Sequence, residues 1–186
     1  MPDQFIEQSA IMFAFVRMRL ALVIAALAVG TSCAAPRSFR ARGDDPIPAD
    51  RPTAEVIEGW VAEVVELHNA ERAAAKLPKL EVSAMLRKAA VRQADDMAST
   101  GKMSHKGSDG STSAERIRQA GYHYRRAGEN VAYGKLTPTR LMRGWMESPP
   151  HRRNILGGYS QVGVACTVAE DGTTYWAVTF GLPASR

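Results

Sequence analysis

Cysteine is scarce in this chain, which has only two in 186 residues, Cys33 and Cys166. Cys33 follows an apolar N-terminal segment with the form of an export signal, so it is either removed on cleavage or modified there. Cys166 then has no partner within the chain. We therefore expect no disulfide framework. With 45% hydrophobic and 23% charged residues, the chain can instead bury an ordinary hydrophobic core.

A hydrophobic run long enough to span a membrane is also lacking in the N-terminal region. The apolar segment Leu20–Val29 is much shorter than the roughly 20 residues that a spanning helix needs. Arg17 and Arg19 precede it, and a short apolar core after positive residues is typical of a secretory signal. We predict that residues 1–33 are a signal peptide and that the protein is exported.

Two modes of cleavage are open for this signal. The segment Val29–Cys33 resembles the lipobox of bacterial lipoproteins, in which the cysteine is lipidated, although Gly30 stands where that motif prefers an aliphatic residue. The other interpretation is ordinary cleavage at the small-x-small site Ser32–Ala34. The first would anchor the protein to a membrane through Cys33, and the second would secrete it.

Motifs of familiar hydrolases and of nucleic-acid-binding proteins are missing as well. The chain has no His-Glu-x-x-His helix motif, and none of its Ser or Cys residues lies in a nucleophile elbow. The net charge is +5, but the basic residues are scattered singly or in pairs such as Arg125–Arg126. Without a recognition helix or zinc spacing, this pattern indicates a solvated basic surface, and we expect no nucleic-acid partner.

The rest of the chain divides into a linker and one domain. Residues 34–53 are rich in Arg, Asp and Pro and too poor in apolar residues to pack, which is typical of a linker. Residues 54–186 carry regular patterns. Apolar residues at helical spacing predict helices over about Ala54–Ala75 and Ala84–Thr100, the second ending at Gly101.

The sequence of the second half of the domain predicts two further helices and a hairpin. Thr112–Glu115 matches a capping box and begins a short helix, which gives Glu115 a structural role. Thr137–Pro138 begins another helix. Alternation over 162–168 and a turn into Thr174–Phe180 predict a β-hairpin with the Cys166 thiol in the core. Helices combined with a small antiparallel sheet indicate an α+β domain.

Three residues outside these patterns are candidates for chemistry. Pro149 and Pro150 should end a helix at Ser148 and leave His151 on a corner just beyond it, unless that imidazole only caps the preceding carbonyls. His105 and Glu129 are expected in similar loop settings. A carboxylate beside apolar residues needs a partner, and the partner of Glu129 could be a backbone amide or one of the arginines at 125 and 126.

Several motifs, taken in order, resemble those of one known family. The chain is similar to the bacterial SCP-like extracellular domains of the CAP superfamily, which takes in cysteine-rich secretory proteins, antigen 5 and plant pathogenesis-related proteins. The motifs extend from about Val61 to Gly181 and are His68–Arg72, Ala94–Ala98, Ser104–His105, Asp109–Ser111, Gly128–Ala132, Trp145–Leu156 and Tyr175–Gly181. The resemblance implies an α-β-α sandwich with an open cleft lined by two His and two Glu, which holds zinc or another divalent ion in some members.

Carried over position by position, the resemblance gives His105, Glu129 and His151 as site residues. The second glutamate of eukaryotic members falls at Ser148 here, with Glu147 one position earlier. The resemblance thus implies a metal site of three ligands, His105, Glu129 and His151, completed by water. Glu147 and Glu115 are further candidates for contact with a bound ligand.

Two functions from different classes fit these residues. The favoured one is an exported binding module whose His/Glu cleft holds a divalent ion and a ligand of the cell envelope, a lipid, a glycan or a surface protein. The alternative is a hydrolase, in which Glu129 with His105 or His151 acts as general acid and base or a metal-bound water attacks. The resemblance alone does not decide between them.

Overall fold

The folded domain starts at Thr53, whose hydroxyl accepts a hydrogen bond from the Val56 backbone N–H and caps the first helix. The computed structural model describes residues 51–185. The predicted signal peptide, and the predicted linker up to residue 50, lie outside these residues. Within them the chain forms five helices and four strands: α1 Ala54–Ala74, β1 Glu81–Val82, α2 Ala84–Thr100, α3 Ser113–Gln119, β2 Tyr124–Gly134, α4 Pro138–Glu147, α5 Pro149–Ile155, β3 Gln161–Val168 and β4 Thr174–Pro183.

The strands form one sheet in the order β1-β3-β4-β2. β4 lies in the middle and pairs antiparallel with both β3 and β2, so the predicted C-terminal hairpin is confirmed. β1, only two residues long, adds a parallel edge that the sequence pattern did not predict. Helices cover both faces of this sheet, which makes the domain an α-β-α sandwich as predicted.

One face of the sheet packs against α1, α4 and α5. Its core is a large cluster in which aromatic rings from the helices and from β4 meet, among them Trp145, Trp176 and Phe180. Arg72 of α1 is buried inside this layer. Its buried guanidinium donates to the carbonyl oxygens of Pro78, Ile155, Gly157 and Tyr159, and so ties α1 to the chain between α5 and β3.

The other face packs against α2 and α3 through small side chains. Ala89, Ala90 and Ala94 are fully buried on α2. Opposite them, a Cβ at Gly163 of β3 would lie 2.1 Å from the Arg87 backbone nitrogen. Only glycine allows α2 to approach the sheet this closely.

Two of the sequence-based expectations on local structure concern Cys166 and His151. Cys166 is largely covered in β3, and burial raises the pKa of its thiol to about 12, as expected for an inert core cysteine. His151, in contrast, does not lie on a loop corner: α4 ends with Ser148 as its C-cap, close to the predicted end, but α5 begins at once with Pro149 and Pro150. The first N–H groups of a helix have no intrahelical partner, so two prolines can start a helix as well as stop one.

Glu129 also differs from its expected loop setting. It lies inside β2, a strand of 11 residues. None of the helices within residues 51–185 has the length and hydropathy that crossing a membrane requires.

His68 in the core makes stability depend on pH. Burial lowers its pKa from 6.5 to about 4, and its Nδ1 lies 2.7 Å from the Val64 carbonyl oxygen while its ring packs against Trp145 and Phe180. The unfolded state therefore takes up a proton between pH 6.5 and 4 that the folded state does not bind. The contribution of His68 to the free energy of unfolding should be complete above pH 6.5. It should fall on acidification to pH 4, by at most about 3 kcal/mol.

Urea denaturation of wild type and His68→Gln from pH 7 to 4 measures this contribution. The variant should be less stable at pH 7, and the gap should narrow as the pH falls. Parallel curves for the two proteins would show that His68 does not titrate in this way.

Candidate functional site

A buried ion pair lies beneath the predicted site. The side chain of Glu129 on β2 is only 2% exposed, and its Oε2 accepts a hydrogen bond from Arg116 Nη2 of α3 at 2.8 Å. Its other oxygen, Oε1, is 2.9 Å from His105 Nδ1. Glu129 therefore has its required partner, but it is Arg116 and not Arg125 or Arg126. No local sequence signal indicates this pairing, because the two residues come from different elements.

Arg116 also holds the loop that carries His105. Its guanidinium donates to the carbonyl oxygens of Ser111 and His105, at 2.8 and 3.0 Å. Gln93 of α2 fixes the same loop by donating to the Ser104 carbonyl. The His105 ring, 59% exposed, thus stands on an anchored loop rather than a free one.

The contact with Glu129 decides which nitrogen of His105 faces outwards. A carboxylate only accepts hydrogen bonds, so His105 carries its hydrogen on Nδ1. Its Nε2 is then left as an acceptor or a metal ligand. This is the arrangement in which a carboxylate fixes the tautomer of a ligand-binding histidine.

His151 reaches the site from α5. Its Nδ1 lies 2.9 Å from the Ser148 hydroxyl, its carbonyl accepts from Asn130 Nδ2 at 3.1 Å, and its ring packs on Trp145 with centroids 6.3 Å apart. Burial lowers the pKa of His151, and a charge on His105 lowers it further. His105 is bound by Glu129 and the His151 carbonyl by Asn130, so both histidines are held at adjacent residues of β2. We call His105, Glu129 and His151 the histidine site.

Three side chains, from α4, α5 and the segment after α5, bind the free edge of β2. Tyr159 Oη, Asn154 Nδ2 and Trp145 Nε1 donate to the carbonyls of Ala127, Glu129 and Val131, which are alternate residues of the strand. An exposed strand edge is thereby covered. Asn154 Nδ2 also donates to Asn130 Oδ1, which adds a second hydrogen bond from this side chain of α5 to β2. The role of Asn154 was missed because its spacing from Trp145 carries no helical or strand signal.

Glu115 and Glu147, the two other predicted ligand contacts, are engaged elsewhere. Oε2 of Glu115 accepts from both the backbone N–H and the hydroxyl of Thr112, which completes the predicted capping box. Glu147 is exposed and lines a groove of about 570 Å³ between α1 and α4, whose apolar walls include Leu67 and Met142. Within residues 51–185, neither glutamate forms a group of three metal-ligating side chains with the histidine site.

The three predicted metal ligands do not form a three-ligand centre in this arrangement. Both oxygens of Glu129 are occupied, by His105 and Arg116. Across residues 51–185, no group of three His, Cys, Asp or Glu side chains lies close enough together to hold a metal ion. The donor set that suits zinc is reduced to the two imidazole Nε2 atoms. Metal binding itself stays a prediction.

Comparison with known proteins gives one family. The family model "CAP: Cysteine-rich secretory protein family" matches residues 65–180. The uncharacterized protein YkwD of Bacillus subtilis is 33% identical over 109 residues, which is 58% of this chain and 42% of YkwD. The uncharacterized membrane protein YlbC of the same organism is 27% identical, over 55% of this chain and 30% of YlbC. The chain thus spans less than half the length of these curated relatives.

Solved structures agree on the fold. An extracellular protein containing an SCP domain from Bacillus anthracis matches with a TM-score of 0.62 and 22% identity, over 72% of this chain and 45% of that one. An outer surface protein of Borrelia burgdorferi matches with a TM-score of 0.61 and 23% identity, over 72% of this chain and 96% of that one.

Breaking the buried ion pair should be strongly destabilising. Arg116→Met leaves the Glu129 carboxylate buried without its counter-charge, which should reduce the free energy of unfolding by about 3–5 kcal/mol. Adding Glu129→Gln removes that charge, so the double variant should lose less than the sum of the two single losses.

Urea denaturation of the four proteins gives this coupling. Arg92→Met is a control, because it breaks an ion pair with Asp109 in which both side chains are nearly half exposed, and it should change stability far less. Additive losses would mean that Arg116 and Glu129 act independently.

Trp145 and His151 should separate stability from function. Trp145 is 3% exposed and packs in the core, so Trp145→Ala should cost about 3–5 kcal/mol. His151 is only half-buried, and His151→Ala should cost less while it abolishes binding at the histidine site. Denaturant melts of both variants, paired with zinc titration, measure this. Equal destabilisation with binding intact in His151→Ala would make His151 a structural residue only.

Proposed function

Because the chain belongs to the cysteine-rich secretory protein family, CAP, we propose that it is an exported domain that binds a glycan of the bacterial cell envelope at the histidine site. The single observation that carries this proposal is the site's geometry. His105 is bound to Glu129 and the His151 carbonyl to Asn130, the next residue of β2, while the Glu129 carboxylate is buried and paired with Arg116.

Export is supported from two directions. The sequence has the pattern of a signal peptide over residues 1–33. The similar solved structures include an extracellular protein and an outer surface protein, both bacterial. Anchoring through a lipidated Cys33 and secretion without an anchor both place the domain next to the envelope.

The charge balance of the site favours a neutral ligand. Glu129 is the site's carboxylate, and the Arg116 guanidinium offsets its charge. Burial and the neighbouring His105 lower the pKa of His151 and so favour its neutral form. Neutral imidazoles form hydrogen bonds with hydroxyl groups, which glycans offer in pairs. A divalent ion, zinc above all, would be held by the two imidazole nitrogens with water, without Glu129 in its coordination shell.

A lipid is a second candidate ligand, on the evidence of the groove between α1 and α4. Its volume of about 570 Å³ and its lining by Leu67, Ala70, Met142 and Met146 suit an apolar chain. This groove is lined by residues other than the histidine site, so the two ligands can be tested separately.

Hydrolysis fits the geometry less well. A general base must reach the substrate, but both oxygens of Glu129 are occupied within the protein. The Ser148 hydroxyl lies 2.9 Å from His151 Nδ1, a spacing also found between a nucleophile and its base. However, the next two residues are prolines, which have no N–H to stabilise an oxyanion.

Co-sedimentation with lipid-free bacterial cell walls and with phospholipid vesicles tests both ligands. The double variant His105→Ala/His151→Ala should lose binding to the cell walls. Ala70→Trp, which fills the groove, should keep it and should weaken any binding to vesicles. His123→Ala is a matched control, because His123 is exposed on the connection between α3 and β2. Cell-wall binding by the double variant at the wild-type level would refute the proposal.

A further inference from the structure

The residues of the histidine site lie in a strongly basic part of the chain. Residues 102–153, which contain all three of them, carry 11 Lys and Arg against four Asp and Glu, a formal net charge of +7. The other described residues, 51–101 and 154–185, carry seven basic and ten acidic side chains, a net charge of −3. The positive charge of the described domain is therefore concentrated in the segment that forms the site.

Five exposed basic side chains come from the three elements that supply the histidine site. One follows His105 in its loop, two precede Glu129 on β2 and two follow His151 on α5. We call them the basic rim, and they are Lys106, Arg125, Arg126, Arg152 and Arg153. No more than four residues separate each from its neighbour in the site, so their backbones lie within about 14 Å of a site residue.

The strand and helix members of the rim meet at the turn after α5. A Cβ added to Gly158 would lie 3.1 Å from Arg126 Nη1, and one added to Gly157 would lie 3.0 Å from the Arg153 carbonyl oxygen. Burial raises the pKa of Tyr159 in the same turn, and the charge of Arg126 opposes this shift. The Arg126 side chain therefore extends from β2 towards α5, the helix that carries His151.

The basic rim has no counter-charges of its own. Within residues 51–185, none of its five side chains forms an ion pair. Three of the four acidic residues in segment 102–153 are bound by another arginine or by a helix cap: Asp109, Glu115 and Glu129. The fourth, Glu147, supplies one negative charge against five positive ones.

Two ordinary roles do not account for the rim. Basic residues in the last turn of a helix complement its dipole, which applies to Arg152 and Arg153 but not to the members in the strand and the loop. Solubility requires a net charge, but it does not require that charge in one segment. A concentration of like charge attracts ligands of the opposite sign and speeds their association.

From this distribution we infer that the envelope glycan is a polyanion, whose phosphate or carboxylate groups bind the basic rim while a neutral sugar unit occupies the histidine site. The inference rests on the proposed function of that site and names its substrate class. Four of the five rim residues are arginines, and a guanidinium binds phosphate or carboxylate with two parallel hydrogen bonds. The histidine site and the rim then bind successive units of one polymer.

Carboxymethyl-dextran, with uncharged dextran of the same length for comparison, tests this by calorimetry. Wild type should bind the charged polymer at least about tenfold more tightly, because several exposed ion pairs contribute up to about fivefold each. This preference should largely disappear in about 1 M NaCl, where the Debye length is only about 3 Å. The triple variant Arg126→Gln/Arg152→Gln/Arg153→Gln should bind carboxymethyl-dextran about tenfold more weakly than wild type.

Two further triple variants separate charge at the rim from overall charge and from packing. Lys76→Gln/Lys79→Gln/Lys88→Gln removes the same charge from exposed positions in segment 51–101, and it should bind within about twofold of wild type because screened charges act locally. Replacing the three rim arginines by Lys keeps the charge and loses only the paired hydrogen bonds, so binding should fall by less than about threefold. Urea denaturation checks that all variants are folded.

Four results would overturn the inference. They are equal weakening in the control triple, equal affinity of wild type for the two dextrans, wild-type binding of cell walls by the rim triple, and tighter binding of wild type to phosphatidylglycerol vesicles than to carboxymethyl-dextran. The last would assign the rim to a membrane surface. The rim variants leave both histidines in place. Cell-wall binding by the double histidine variant at the wild-type level would refute the proposed function, while the dextran comparison would still decide what the rim binds.

Discussion

The buried pair of Arg116 and Glu129 is the interaction on which the site depends. Removing two charges from water is unfavourable unless they meet each other and further hydrogen-bond partners. Glu129 finds these in Arg116 and His105, and Arg116 finds them in two loop carbonyls as well. The pair thus joins α3, β2 and the His105 loop. A carboxylate that looks like a metal ligand in the sequence becomes, in the structure, the support of a histidine.

The second half of the site depends on how the edge of β2 is covered. The donors that bind alternate carbonyls of this strand come from Trp145, Asn154 and Tyr159, on either side of His151 in sequence. The same contacts that cover a vulnerable edge therefore set the position of the imidazole. His105 comes from the α2/α3 side of the sheet and His151 from the opposite helical layer, and adjacent residues of this strand, Glu129 and Asn130, bind them. Structural and functional roles are shared within one motif, which explains why its local pattern alone was ambiguous.

The sequence predicts the local features of this protein better than the long-range ones. The helices from Ala54 and Ala84, the capping box at Thr112 and the C-terminal hairpin follow from caps and periodicity, and the structure confirms them. The errors concern tertiary context. Pro149 and Pro150 were expected to stop a helix because they lack N–H groups. The first positions of a helix do not need an N–H group, so the same residues can start one. Glu129 was expected in a loop but lies inside β2, and nothing in its local sequence shows that Arg116 lies next to it in the fold. β1 gains its strand geometry only from pairing with β3.

Family membership determines the fold of this chain, but the chemistry of the histidine site depends on the side chains that contact His105 and His151. His105 and His151 are the same residue type in neighbouring positions, yet one is backed by a carboxylate and the other by a hydroxyl. A carboxylate imposes one tautomer and adds charge, whereas a hydroxyl does neither. A site with two carboxylates behind its histidines would attract a cation. Arg116 offsets the charge of Glu129 and Ser148 adds none, and the proposal of a neutral ligand rests on this balance and on the hydrogen bonds that imidazoles form.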